Sequence, residues 1–264
     1  MRYNQKREYR LSLSPCSHFS RLPSIDLNTA NMINQQPSQT AYSLITTNND
    51  AVVYLKMGEL NESYSLLSEA VDTLQNMIRD EPPSFKSTHV RYNLHWDDLT
   101  YSNANYVFES SDQSGFPLLF QRCLTVNMPR KREIRANRLC PFGLFPVLHY
   151  NLALVAHLLG IQKAEHGNSY LREANRLYSM VSADVRSRRC SGADYTVLLM
   201  GIWNNQGCIY MESGMEEEQA TQCLDLLRKL LVSTRALRSQ LPGWRYLYLN
   251  LVTLEKQRSV AAAA

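Results

Sequence analysis

From about residue 42 onward, apolar positions recur at helical spacing in separated stretches. The stretch "YSLITTNNDAVVYLKMG" places Leu44, Ala51, Tyr54 and Leu55 near one face, and "NESYSLLSEAVDTLQNMI" continues with Leu67, Ala70, Val71, Leu74 and Ile78. Asn61 is placed to cap the second of these helices. Pro82 and Pro83 end it, because proline lacks an amide hydrogen and its ring clashes with the preceding turn. The pattern predicts a helical hairpin over 41–83.

Regularity returns at Pro146. "VLHYNLALVAHLLG" presents Leu148, Leu152, Val155 and Leu159, and "NSYLREANRLYSMV" answers with Leu171, Ala174, Leu177, Tyr178 and Val181. A third hairpin pairs "DYTVLLMGIWNNQGCIYMESG" with "EEEQATQCLDLLRKLLVS". Glu216, Glu217 and Glu218 begin that last helix and Arg228 and Lys229 lie near its end, as the helix dipole favours. After Pro242 and Gly243, "WRYLYLNLVTLEK" predicts one more helix, a cap for the preceding hairpin. Residues 146–260 thus read as two hairpins and a capping helix.

Two regions lack this period. Residues 1–40 are polar, carry Pro15, Pro23 and Pro37, and read as a disordered tail. Its arginine-rich start has a trace of a transit peptide, against which stand Glu8 and the missing amphipathic stripe. Residues 84–145 read as a long irregular insertion with room for a degenerate repeat. Within it, "GFPLLFQRCLTVNMP" is short and apolar, which fits a strand or an extended segment laid over the helices.

Three of the helical stretches share one pattern: Asn, a small residue two positions on, Tyr or Ala three further, and Gly four further. The copies are Asn49, Ala51, Tyr54, Gly58; Asn151, Ala153, Ala156, Gly160; and Asn205, Gly207, Tyr210, Gly214. The hairpins resemble tetratricopeptide repeats, in which a small residue lets two helices approach and an aromatic fills the space beside it. The third carries Trp203, Gly207, Tyr210 and Gly214, then Ala220, Leu224 and Leu227. The second carries Leu152, Ala153, Ala156 and Gly160, then Ala174, Tyr178 and Val181. The first carries Ala51, Tyr54 and Gly58, then Ser63, Leu67 and Ala70, with Asp50 where a Leu is expected. Extra turn residues break the regular period. The stretches "FPVLHYNLALVAHLLG" and "WNNQGCIY" are also similar to helical-repeat proteins of diatoms, a likeness that implies no activity. The resemblance implies an all-α fold, a short solenoid of hairpins with a glycine in each turn, and a non-enzymatic scaffold that binds a peptide or protein in the groove lined by the first helix of each hairpin.

Carried onto this sequence, that groove presents Asn48, Asn49 and Val52, then Tyr150, Asn151, Leu154 and His157, then Asn204, Asn205, Cys208 and Met211. A side-chain amide both donates to and accepts from a peptide backbone, so a row of Asn makes a peptide track. The same amides also suit bonds between neighbouring helices. A clamp for a C-terminal carboxylate is not expected, because the positions that need a cation read Asn48 and Gly201.

Charge sharpens the picture little. The net charge is +4. Arg2, Lys6, Arg7, Arg10 and Arg21 oppose Glu8 in the tail, and Arg130, Lys131, Arg132, Arg135 and Arg138 oppose Glu133 in the insertion. Residues 1–21 and 128–138 therefore carry +4 each and the remainder −4, so the hairpins lack the basic stripe of a nucleic-acid binder. The basic loop 129–141 reads as a solvated loop, or as an import or phosphate contact. Arg186, Arg188 and Arg189 follow a helix end and complement its dipole. With the loop and the tail they would have to form one surface for nucleic acid to be the ligand.

Of Cys16, Cys123, Cys140, Cys190, Cys208 and Cys223, no two have zinc or redox spacing. Cys208 and Cys223 are expected as buried free thiols. No signal-like run or span of membrane length is apparent, so an intracellular protein, cytoplasmic or nuclear, is expected, with no membrane partner. No cofactor is expected, and no catalytic motif for an enzyme is found. His149 and His157 lie two helical turns apart, too far to share a metal, and nothing activates Cys140 beside His149. The sequon at Asn61, Glu62 and Ser63 falls at a helix start.

Overall fold

Two helices of this chain are buried on nearly every side, and they form its interior. The computed structural model describes residues 37–80, 92, 94–99, 119–129, 140–163, 167–188, 192–213, 217–241 and 243–261, all within one compact unit. It is mostly helical: α1 (Pro37–Met57), α2 (Leu60–Asp80), β1 (Leu94–Asp98), β2 (Arg122–Val126), a 3-10 turn (Pro141–Leu144), α3 (Phe145–Gln162), α4 (Gly167–Ser187), α5 (Ala193–Ser213), α6 (Glu217–Ser233), a second 3-10 turn (Arg235–Leu237) and α7 (Trp244–Ala261). The strands pair antiparallel, Leu94 opposite Val126 and Asp98 opposite Arg122. An all-helical expectation therefore needs a small two-stranded sheet added.

Helix α3 is buried from Pro146 through Gly160. Polar faces are absent from its sequence, so it is stable only where other elements surround it. It packs on α4, α2, α1 and β2. Pro141–Gln162 is long and apolar enough to cross a membrane, which differs from the expectation of no such stretch, but 89% of its apolar part is buried inside the protein. Helices α2, α4 and α6 carry one apolar face each and pack against α1, α3 and α5 respectively. Helix α7 closes on α5 and α6.

Several boundaries differ from expectation for local reasons. Helix α1 starts at Pro37, a residue suited to a first helical turn, so Thr40 is buried rather than part of a tail. Asn61 lies inside the first turn of α2, where its amide oxygen accepts a bond from Lys163 Nζ at 2.9 Å. Gly58 makes the expected turn with φ of +82°. Gly160 does not: it is still helical, and a Cβ there would stand 2.7 Å from Leu171 and another on Gly167 2.5 Å from the Gly160 carbonyl. The small residues serve the approach of α4 to α3. Gly214 lies outside the described residues. Cys123, Cys140, Cys208 and Cys223 are buried.

Candidate functional site

The three patterned asparagines fall on α1, α3 and α5, and each grips one residue of a single extended segment. Leu124 N–H donates to Asn151 Oδ1 at 2.9 Å while Asn151 Nδ2 donates to the Leu124 carbonyl at 2.7 Å. Val126 has the same two-bond arrangement with Asn49, at 3.0 and 2.8 Å. Phe120 has it with Asn205, at 2.8 and 3.3 Å. Between these, Tyr150 donates to the Arg122 carbonyl at 2.9 Å, and Tyr246 of α7 to the Leu119 carbonyl at 2.7 Å.

The alternation has a simple cause. Successive residues of a strand turn their backbone groups to opposite edges. Positions 120, 122, 124 and 126 face the helices, whereas Cys123 and Thr125 pair with Asp97 and His95 of β1 and the Gln121 carbonyl accepts from Leu99 N–H at 3.2 Å. Both edges of the segment are thus occupied, as a buried backbone requires.

The amides are themselves held. Asn48 accepts from Asn151 Nδ2 at 2.8 Å and donates to the Leu124 carbonyl at 3.0 Å. Asn204 donates to Asn205 Oδ1 at 3.1 Å and accepts from Asn250 Nδ2 of α7 at 3.1 Å. Asn205 Nδ2 also donates to the Tyr178 hydroxyl at 3.0 Å. Burial holds the Tyr150 and Tyr178 hydroxyls protonated far above their ordinary range.

Side chains of the segment are equally enclosed. Phe120, Leu124 and Val126 are no more than 2% exposed. Gly201 and Gly243 leave space for the Phe120 ring: a Cβ on either would stand 2.5 or 2.7 Å from it. Gly243 also has φ of +74°, which favours glycine. Trp96 of β1 packs edge-on against Phe120 and Tyr150.

The residues expected to line a groove do not face an open one. Asn48, Tyr150, Asn151, Leu154, His157, Asn204 and Asn205 are fully buried, and Val52 and Cys208 nearly so; Asn49 and Met211 are half-buried. Asn49, Asn151 and Asn205 hold the chain's own residues 119–126, an apolar stretch whose sequence fits either a strand or an overlay. It is both: a strand toward β1 and an overlay toward the helices. Tyr246, Asn250 and Tyr178 complete the grip. Asn250 repeats the amide signal one helix further on, in a segment read only as a cap.

The buried histidines are packing residues. His149 Nδ1 lies 2.8 Å from the Phe145 carbonyl and Nε2 lies 3.3 Å from Gln75 Nε2. These contacts fix the neutral tautomer with the proton on Nδ1, and burial lowers its pKa to about 4, partly opposed by the Phe145 bond. His157 stands edge-on to Tyr178, and burial lowers it to about 3. Among the described residues no group of His, Cys, Asp and Glu is placed to hold a metal ion.

Arg188 does more than face a dipole. It donates to Asp184 at 2.7 Å and reaches the Phe142 carbonyl at 3.5 Å, joining α4 to the first 3-10 turn. Arg186 lies in the last turn of α4. Arg189, and Arg130, Lys131, Arg132, Arg135 and Arg138 of the basic loop, lie outside the described residues. No protein-family profile matches the chain, and neither a curated protein nor a solved structure matches it.

Proposed function

We propose that this protein is a non-enzymatic, tetratricopeptide-like interaction scaffold whose inner groove is filled by its own strand. The observation that supports this reading is the row of Asn49, Asn151 and Asn205, each closing two bonds on the backbone of residues 126, 124 and 120. Such a row holds a polypeptide without reading its side chains. Because the strand's own side chains are core residues, displacing it would expose Phe120, Leu124 and Val126 together. The strand stiffens the helices, and a partner protein binds the outer surfaces of the array. Rigid display of that kind lowers the ordering cost of association.

The test is affinity purification of the full chain from native lysate, with chemical cross-linking and mass spectrometry of the complex. A stoichiometric protein partner cross-linked to outer helices or to the α6–α7 end supports the reading. Cross-links from a partner to positions 119–126 would instead mean that the strand leaves the groove. Recovery of nucleic acid with no protein partner would remove the scaffold reading.

A further inference from the structure

An open cleft of about 440 Å³ lies between α6, the second 3-10 turn and α7. One wall is aromatic: the rings of Trp244 and Tyr248 stack with centroids 5.4 Å apart and planes 6° from parallel. Val232 faces it from α6, 69% exposed, and Tyr248 is 46% exposed. These are large apolar groups left in water on adjoining elements, at a place where Leu231 and Leu251 supply a buried floor.

The charged rim is unbalanced. Arg228 is matched, with Asp225 at 2.6 Å and Glu255 at 2.6 Å. Arg235 and Arg238 also line the cleft and are exposed, and neither has a carboxylate partner among the described residues. Their place is fixed by backbone: the turn that carries them starts where Thr234 N–H and Oγ1 both bond the Leu230 carbonyl, and Arg238 N–H closes on the Arg235 carbonyl at 3.4 Å. Two cations at the end of α6 also favour its dipole. That role does not require an apolar hollow between them and a stacked aromatic pair.

Resting on the scaffold reading, we propose that this cleft docks an acidic peptide segment of a partner protein. A bulky apolar side chain of the peptide enters between Val232 and Tyr248, and flanking carboxylates pair with Arg235 and Arg238. Charge complementarity selects this occupant. It also argues against the chain's own residues 1–21 and basic loop 129–141, each of which carries +4. Arginine suits the task because its planar fork receives a carboxylate through two parallel bonds.

A display library of random dodecapeptides is selected on immobilised full-length protein, in parallel with the Arg235→Glu plus Arg238→Glu variant. Because both sites are exposed, the variant is expected to keep the wild-type melting temperature. The expected result is enrichment of acidic sequences around a Leu, Phe or Trp. Their affinity should fall at least about tenfold in the variant and fall with added salt. Tyr248→Ser should weaken the same peptides without altering their charge preference. No enrichment, enrichment of neutral or basic sequences, or equal binding to the variant overturns the proposal. Binding of a single-stranded oligothymidine that the variant loses assigns the cleft to phosphates and overturns it too. If the library fails while a lysate partner cross-links elsewhere, the cleft inference alone fails; if no protein partner exists, the scaffold reading has failed.

Discussion

Asn151 and Leu124 exchange two hydrogen bonds, side-chain amide to backbone, at the centre of a buried strand. Truncating Asn151 leaves both backbone groups of Leu124 without that partner, with only Asn48 still donating to the carbonyl. An orphaned buried polar group costs about 1–3 kcal/mol. Asn151→Ala is therefore expected to lower unfolding stability by about 3 kcal/mol, read as a reduced urea midpoint with an unchanged m-value. Asn49→Ala, at a half-buried position, should cost less. Equal, small losses at both sites would show that the ladder is not what holds the strand.

Gly201 sits one helical turn before Asn205, beneath the Phe120 ring. A methyl group there would stand 2.5 Å from Phe120 Cδ1 and 3.4 Å from the Tyr150 hydroxyl. Overpacking of this kind costs about 1–3 kcal/mol. Gly201→Ala should destabilise by that amount despite its better helix propensity. Phe120→Leu should rescue part of the loss, because the two sites share one volume. A double-mutant cycle by denaturant unfolding measures the coupling, and strict additivity would refute the contact.

These relationships also mark how far the sequence could be read. The helical segments were legible because each carries a period, and the asparagine row because the amides recur at matching helical positions. The occupant was not. Residues 119–126 reach their Asn partners across 27 to 85 positions of chain, and no local pattern encodes such a pairing. Strand β1, "LHWDD", has little alternation and is defined by its partner. Gly160 shows a different failure: a glycine needed for close helix approach looks, in sequence, like a glycine needed for a turn.

Acid should destabilise the fold through His149 and His157. Both are fully buried, with folded pKa values near 4 and 3 against 6.5 for the free side chain. Their native forms are neutral, so below pH 6.5 the unfolded chain binds more protons than the folded one. The stability present above that pH is lost as pH falls toward the folded values. At pH 5 each is expected to remove roughly 2 kcal/mol. His157→Phe, which keeps a ring beside Tyr178 and removes that titration, should cut the fall in urea midpoint between pH 7 and 5 by about half, His149 supplying the rest. An unchanged pH profile would mean that His157 does not resist protonation in the folded state.

Native-state hydrogen exchange tests whether the strand is a fixed part of the core. The amides of Phe120, Leu124 and Val126 are bonded to Asn oxygens, and their side chains are as enclosed as any in the helices. Groups that open only with the whole fold exchange with the global unfolding free energy. These three amides should match the slowest amides of α3 and respond fully to low urea. Exchange at much lower free energy, with little urea dependence, would mean that the segment lifts off while the helices stay folded. The Asn row would then be open to a peptide in trans, and the groove rather than the outer surface would become the place to look for a partner.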